Sequence, residues 1–158
     1  MSESKATSAG AAPSLGWRLR KLAMNGVSAL NTWIYRRSGG KWMGQFPSGA
    51  PVFLLTTSGR KSGQARTVPL LYLRDNDDLV VVASQGGAPQ HPAWYFNLQA
   101  NPQATVETGS ARFRVTARRV SEEEKAALWP RLVAIYAPYD AYQKRTSRSI
   151  PVMRLTPA

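Results

Sequence analysis

The chain has 158 residues, enough for one domain with a sizeable core, and 43% hydrophobic against 19% charged residues reads as globular. Twenty-one Lys and Arg against nine Asp and Glu leave a net charge of +12, which draws the protein to polyanions, anionic membrane faces or acidic ligands without choosing among them. The absence of cysteine excludes disulfides, thiolate metal sites and a Cys nucleophile, and a single histidine, His91, argues against a zinc site or a Ser-His-Asp triad.

Residues 1–13 are small and polar and read as a disordered tail. No apolar run approaches the ~20 residues of a membrane span, and no signal-peptide core follows the start, so a cytoplasmic protein is expected. Residues 14–40 form the next unit, with a helical pattern over 14–37. Leu15, Leu19, Leu22, Val27, Leu30 and Ile34 recur at three- to five-residue steps, with Arg18, Arg20, Lys21, Arg36 and Arg37 elsewhere around the wheel. Such a helix packs its apolar face on the domain, and with Trp17 and Trp33 it can also lie on an anionic membrane.

Residues 41–158 make the main domain. A loop rich in aromatic residues and Met (41–50) leads to a strand over 51–57, a second over 66–74 and a third over 79–84, with Asp75-Asn76-Asp77-Asp78 as a turn. The runs 52–55 and 79–83 are apolar on both faces, as barrel or sandwich strands should be. Between the first two strands, Gly59-Arg60-Lys61-Ser62-Gly63 turns the chain tightly. It sets Arg60, Lys61 and Arg66 at a hairpin tip, a rigid mount for a phosphate or carboxylates. A merely solvated basic turn is the plainer reading.

Ser84-Gln85-Gly86-Gly87-Ala88 opens a glycine-rich turn before a short helix over 92–98. Glycines ahead of a helix expose donors that favour an anion, so this turn and the basic hairpin read as two walls of one anionic pocket. His91 reads as a surface or capping residue, because no orienting carboxylate lies near it in sequence. Strands over 104–108 and 112–119 flank Gly109-Ser110. Ser121 and Glu124 form a capping box for a helix running to about Tyr136, which Pro130 should kink or split. Tyr136, Tyr139 and Tyr142 follow at three-residue steps, either as core aromatics or as a stacking wall with hydroxyl donors. A strand near 150–155 closes the chain.

Five motifs in this order resemble the deazaflavin-dependent nitroreductase family, which includes quinone reductases that use reduced coenzyme F420. They are NTWIYRR (31–37), LLTTSGRKSGQARTVPL (54–70), VVVASQGG (80–87), PAWYFNLQANP (92–102) and the late tyrosines before RSIPV (148–152). The resemblance covers roughly residues 30–157. It implies a mainly β, α+β fold: a split β-barrel of the FMN-binding type, carrying an N-terminal amphipathic helix. It implies F420, an 8-hydroxy-5-deazaflavin with a strongly anionic tail, as cofactor, with no metal. The tail would meet Arg60, Lys61, Ser62 and Arg66, and the ring would meet Thr67, Val68, Pro69 and Leu70. Ala83, Ser84, Gln85, Gly86, Gly87, Ala88, Ala93, Trp94 and Asn97 would line the same groove. Tyr136, Tyr139, Tyr142 and Ser84 would face the acceptor as the catalytic set.

The expected activity is transfer of a hydride from reduced F420 to a quinone, an activated alkene or a nitro compound. The protein's part is positioning and electrostatics. An FMN-dependent enzyme of the same barrel class and a non-catalytic F420 binder are the alternatives. A small-molecule acceptor is the expected partner, and an anionic membrane surface a second one through the N-terminal helix, which would place the protein peripherally on the inner face of the cell membrane. Nucleic acid is not expected, because no recognition motif accompanies the charge.

Overall fold

The computed structural model describes residues 32, 33, 35–37 and 49–158. The tail, most of the N-terminal helix and loop residues 41–48 lie outside the described residues. Thr32, Trp33 and residues 35–37 are helical, as the pattern over 14–37 predicts.

The elements are β1 (Val52–Ser58), β2 (Ala65–Leu71), β3 (Leu73–Asp75), β4 (Asp78–Val82), α1 (Ala93–Ala100), β5 (Gln103–Thr108), β6 (Ala111–Arg119), α2 (Glu122–Ile135), α3 (Pro138–Arg145) and β7 (Val152–Pro157). All seven strands join one antiparallel sheet in the order β2-β1-β5-β6-β7-β4-β3. The single strand expected over 66–74 is two, broken at Tyr72. Its first half pairs with β1 and its second with β4, so one bent stretch of chain ends the sheet on both sides and the sheet curls into a barrel. Tyr72 leaves both ladders there, and its amide donates to the Pro51 carbonyl at 3.2 Å instead.

The doubly apolar runs behave as strands with two buried faces. Phe53, Leu55, Leu79 and Val81 point into the barrel with Val106, Val115, Met153 and Leu155, and Trp94, Tyr95 and Leu98 of α1 close that core. Side chains alternate along a strand. Val80 and Val82 therefore face outward, where α2 and α3 cover them with Leu128, Leu132 and Tyr139.

Half of the capping box forms. The Ser121 hydroxyl accepts from the Glu124 amide at 3.1 Å, while the Glu124 carboxylate turns to Arg118 and Arg154 instead of reaching back. Pro130 does not split the helix, which runs unbroken from Glu122 to Ile135. Pro130 and Ala126, the residue four back, are both exposed, so the carbonyl deprived of its donor is on the watered side.

The helical residues near position 35 are fastened to the barrel. Tyr35 is buried, and its hydroxyl accepts from the Gly109 amide at 2.9 Å and donates towards the Glu107 carbonyl at 3.1 Å. Arg36 forks onto the Glu107 carboxylate at 2.8 and 3.1 Å. Trp33, by contrast, is 59% exposed. Among the described residues no helix is long and apolar enough to cross a membrane.

Candidate functional site

The turn between β1 and β2 is built by its two glycines. The Gly59 amide donates to the Gln64 carbonyl at 2.8 Å, and the Gly63 amide to the Gly59 carbonyl at 2.7 Å. Gly63 has φ +69°, the left-handed region that L side chains avoid. A Cβ on Gly59 would lie 2.9 Å from the Ser62 hydroxyl and 3.2 Å from the Gln64 carbonyl. A rung of two hydroxyls, Thr56 to Thr67 at 2.8 Å, braces the strands below.

Asn97 fastens this turn to α1. Its side chain is 6% exposed, accepts from the Arg60 amide at 3.0 Å and donates to the buried Thr57 hydroxyl at 3.1 Å. The Arg60 guanidinium lies 4.6 Å from the Phe96 ring centroid, a second tie to the same helix. Backbone and side chain of Arg60 are both held, although the residue is exposed.

An open groove of about 1070 Å³ runs beside the turn. Of the residues expected to bind a cofactor, Arg60, Lys61, Ser62, Arg66, Thr67, Val68, Ala93, Trp94 and Asn97 line it. Among the described residues no Asp or Glu lies within ion-pair distance of Arg60, Lys61 or Arg66. Helix α1 begins at Ala93 in the same wall with no side-chain cap, so its positive dipole end stands beside the three cations. Five further residues line the groove that were not among those expected to bind the cofactor: Thr32, Trp33, Arg36, Gly59 and Ala65. The first three come from the N-terminal helix, whose amphipathic pattern signals packing but not which wall it completes.

Pro69, Leu70 and the glycine-rich turn are not among the lining residues. Pro69 is exposed on β2, while Leu70 packs on the barrel core. Gln85–Gly87 form a short 3-10 turn with Gly86 and Gly87 at positive φ. This turn packs against α3: a Cβ on Gly87 would sit 2.8 Å from the Tyr142 carbonyl oxygen. Ser84 is buried.

The tyrosines form a second cluster. Pro138 opens α3, and the Tyr136 and Tyr142 hydroxyls meet at 3.0 Å. That hydrogen bond, with burial and the neighbouring phenol adding to it, pushes the Tyr136 pKa up to about 12. Tyr136 is therefore a proton-bearing group at neutral pH. Tyr139 is different: it is 5% exposed, packed in the outer core with its ring 4.9 Å edge-on to Tyr136, and burial raises its pKa further still. His91 lies between the Tyr95 and Phe96 rings, and its Nδ1 is 2.9 Å from Arg148. It is half-buried rather than on the surface, and among the described residues no carboxylate pairs with it.

A family model for F420H(2)-dependent quinone reductase matches residues 28–157. The chain belongs to this family. An F420H(2)-dependent quinone reductase of Mycobacterium tuberculosis is 44% identical over 126 residues, spanning 78% of this chain and 85% of that protein. A solved F420-H2 dependent reductase, FDR-A, shares 44% identity with a TM-score of 0.62, covering 66% of this chain and 93% of its own. The heme storage protein HutZ of Vibrio cholerae superposes with a TM-score of 0.52 at 15% identity, over 68% of this chain and 81% of that one, and shares the fold alone. The split β-barrel expected of this quinone reductase family is the architecture observed.

Proposed function

We propose that the protein is an F420H2-dependent oxidoreductase that reduces a quinone, with the β1–β2 turn gripping the anionic tail of the coenzyme. Family membership supports the activity. The observation that carries the binding mode is the trio Arg60, Lys61 and Arg66, fixed on a glycine-built turn without acidic partners among the described residues. Cations left unpaired beside a helix N-terminus form a site for an anion. At about 1070 Å³ the groove slightly exceeds the usual ~300–1,000 Å³ range of ligand pockets, which suits a long ligand.

The residues fit the coenzyme along its length. Arg66, Val68 and Leu70 share one face of β2 by strand alternation, so that face passes from charged to apolar within five residues. The tail would lie at the charged end and the flat ring at the apolar end against Val68. When bound, the reduced coenzyme supplies a hydride from its C5 carbon. The chain holds the ring still, so that the reacting carbons meet at near-attack distance.

Tyr136, Tyr142 and Ser84 are proposed to face the acceptor. Held in its protonated form, the Tyr136–Tyr142 pair can donate a hydrogen bond to the quinone oxygen on which charge develops and pass it a proton drawn from solvent. Tyr139 supports the pair by packing under it. The remaining expected contacts, Pro69, Leu70 and the turn from Ala83 to Ala88, belong to the ring and acceptor end of this reading. The exposed Trp33, beside Arg36 and Arg37, supports peripheral docking on an anionic bilayer, where a quinone would be dissolved. Pelleting with anionic liposomes measures that, and unchanged pelleting after deletion of residues 1–37 would end it.

Titration with oxidised F420 tests the main reading. Saturable binding that weakens with salt and ignores excess FMN is expected. Equal binding of FMN, or no response to F420, would overturn it. Tyr136→Phe is expected to leave coenzyme affinity within about twofold while lowering kcat by roughly a hundredfold, the lower end of general acid–base contributions.

A further inference from the structure

Arg148, in the connection from α3 to β7, spends its side chain on the backbone of another loop. Its Nε donates to the Ala88 carbonyl at 2.9 Å, and its Nη2 to the Ser84 carbonyl at 2.8 Å. Its Nη1 reaches the Ala83 carbonyl at 3.3 Å and His91 Nδ1 at 2.9 Å. One guanidinium thus touches four acceptors over residues 83–91. Among the described residues it has no carboxylate partner within ion-pair distance. An arginine committed to carbonyls sets backbone shape rather than neutralising charge.

We infer that Arg148 is a positioning residue for the coenzyme and acceptor site, fixing the peptide planes at Ala83–Ser84 and Ser84–Gln85, with His91 as its uncharged acceptor. This rests on the reading that the 83–88 turn contributes to that site. In a trans peptide the N–H points opposite to the carbonyl of the same plane. With the Ala83 and Ser84 carbonyls drawn to Arg148, the Ser84 and Gln85 amides face away from it. Neither amide donates to a backbone carbonyl among the described residues. Two adjacent donors are therefore presented on the side of the turn opposite the guanidinium, at the residue expected near the reacting face. Arg145 adds a bond to the Gly86 carbonyl at 2.9 Å, and Gly87 lies against the Tyr142 backbone with no room for a Cβ. The turn and the tyrosine-bearing α3 are consequently one body, and the donors and the phenols keep their relative places.

The histidine makes this arrangement sensitive to acid. Arginine offers only donors, so His91 Nδ1 must accept, and the ring proton sits on Nε2. The charged groups facing His91 are Arg148 itself and Arg119 at the end of β6; from α1 it meets the Tyr95 and Phe96 rings. Burial first, then both cations, lower its pKa below the ordinary 6.5. The neutral ring and its bond to Arg148 are therefore fully present above about pH 6.5 and lost as pH falls through the lowered value.

The test uses the full chain with Arg148→Gln, Arg148→Lys and His91→Asn. Hydrogen exchange should quicken about tenfold or more over residues 83–91 in Arg148→Gln and leave β5 and β6 unchanged. Oxidised F420 should bind it roughly tenfold more weakly, the loss expected when a charged hydrogen-bond donor is removed. Arg148→Lys should fail to rescue either readout, because one ammonium cannot span four acceptors. In the wild type the KM for reduced F420 should rise as pH drops below 6. His91→Asn, which keeps a neutral acceptor, should flatten that rise, and a purely structural Arg148 would not give this pattern. Unchanged exchange and affinity in Arg148→Gln would overturn the inference. If Arg148→Gln does not fold, an acid limb that persists in His91→Asn overturns it instead. A wild type that ignores F420 while exchange still quickens would sink the cofactor reading and leave the ordering of the turn standing.

Discussion

Two groups of arginines sit at opposite fates in this molecule. Arg154 is only 12% exposed and bonds Asp75 at 2.9 Å, Asp78 at 3.1 Å and Glu124 at 2.9 Å, while Arg131 and Arg118 approach the same acids from outside. That network pins β7, the β3–β4 hairpin and α2 together. Around the β1–β2 turn the cations have no such company. No Asp or Glu occurs between Glu3 and Asp75 in the sequence, so the chain supplies none locally, and folding brings none in among the described residues. The difference separates charge spent on holding the fold from charge left without an acidic partner among the described residues. Satisfied cations contribute stability, and on the function proposed above the unsatisfied ones, fixed in place, contribute affinity.

Exchanging the two roles should therefore fail in opposite ways. The largest effect is expected from Arg60→Glu with Lys61→Glu: coenzyme affinity should fall by about a hundredfold or more, since two charged contacts become repulsive. The melting temperature should stay within a few degrees, because both residues are exposed. Arg154→Met should do the reverse, lowering stability by about 2–3 kcal/mol in urea unfolding, because Asp78 loses its arginine outright and Asp75 and Glu124 each lose one of two. Its coenzyme affinity should not move.

The same network sets an acid limit. Hydrogen bonds from Arg131 and Arg154 lower the Asp75 pKa, and those from Arg118 and Arg154 that of Glu124. Groups depressed in the folded state stabilise above their unfolded pKa, about 4, and lose that contribution as pH falls through the folded value. The wild type should thus weaken on acidification below about pH 4, and Arg154→Met should show a shallower loss.

Asn97 ties the β1–β2 turn to α1, and Asn97→Ala should sharpen the comparison. Losing its two bonds should cost about 1–2 kcal/mol of stability and also several-fold in affinity, as the turn drifts from α1. The smallest effect is expected at Arg36→Gln. Its fork to Glu107 is half-exposed, and such pairs contribute under about 1 kcal/mol.

Local pattern made much of this legible. Phe53, Leu55 and their outward neighbours read as a buried strand because both faces are apolar, and the glycine-flanked basic turn read as a mount because Gly63 and Gly59 have no alternative residue there. Legibility failed where the deciding partner lies far along the chain. Glu124 was expected to cap its own helix, yet two arginines from β6 and β7 take its carboxylate. Nothing near Tyr72 announces a break; the break follows from pairing with β1 on one side and β4 on the other. Arg148 could not be read either, since its four acceptors sit about sixty residues upstream in the loop that ends at His91. For the glycine-rich turn, residue type alone suggested a wall of the basic groove, whereas its fixed neighbours are α3 and Arg148.

The break at Tyr72 has a consequence for the whole barrel. The outer strands β2 and β3 are joined through Tyr72 alone, so a circular permutant opened between Leu71 and Leu73 would keep every strand pair but lose the covalent tie between the two margins. Such a ribbon would offer strand-ready backbone to its neighbours and self-associate. Continuity across that one tyrosine is the direct link between the two rims.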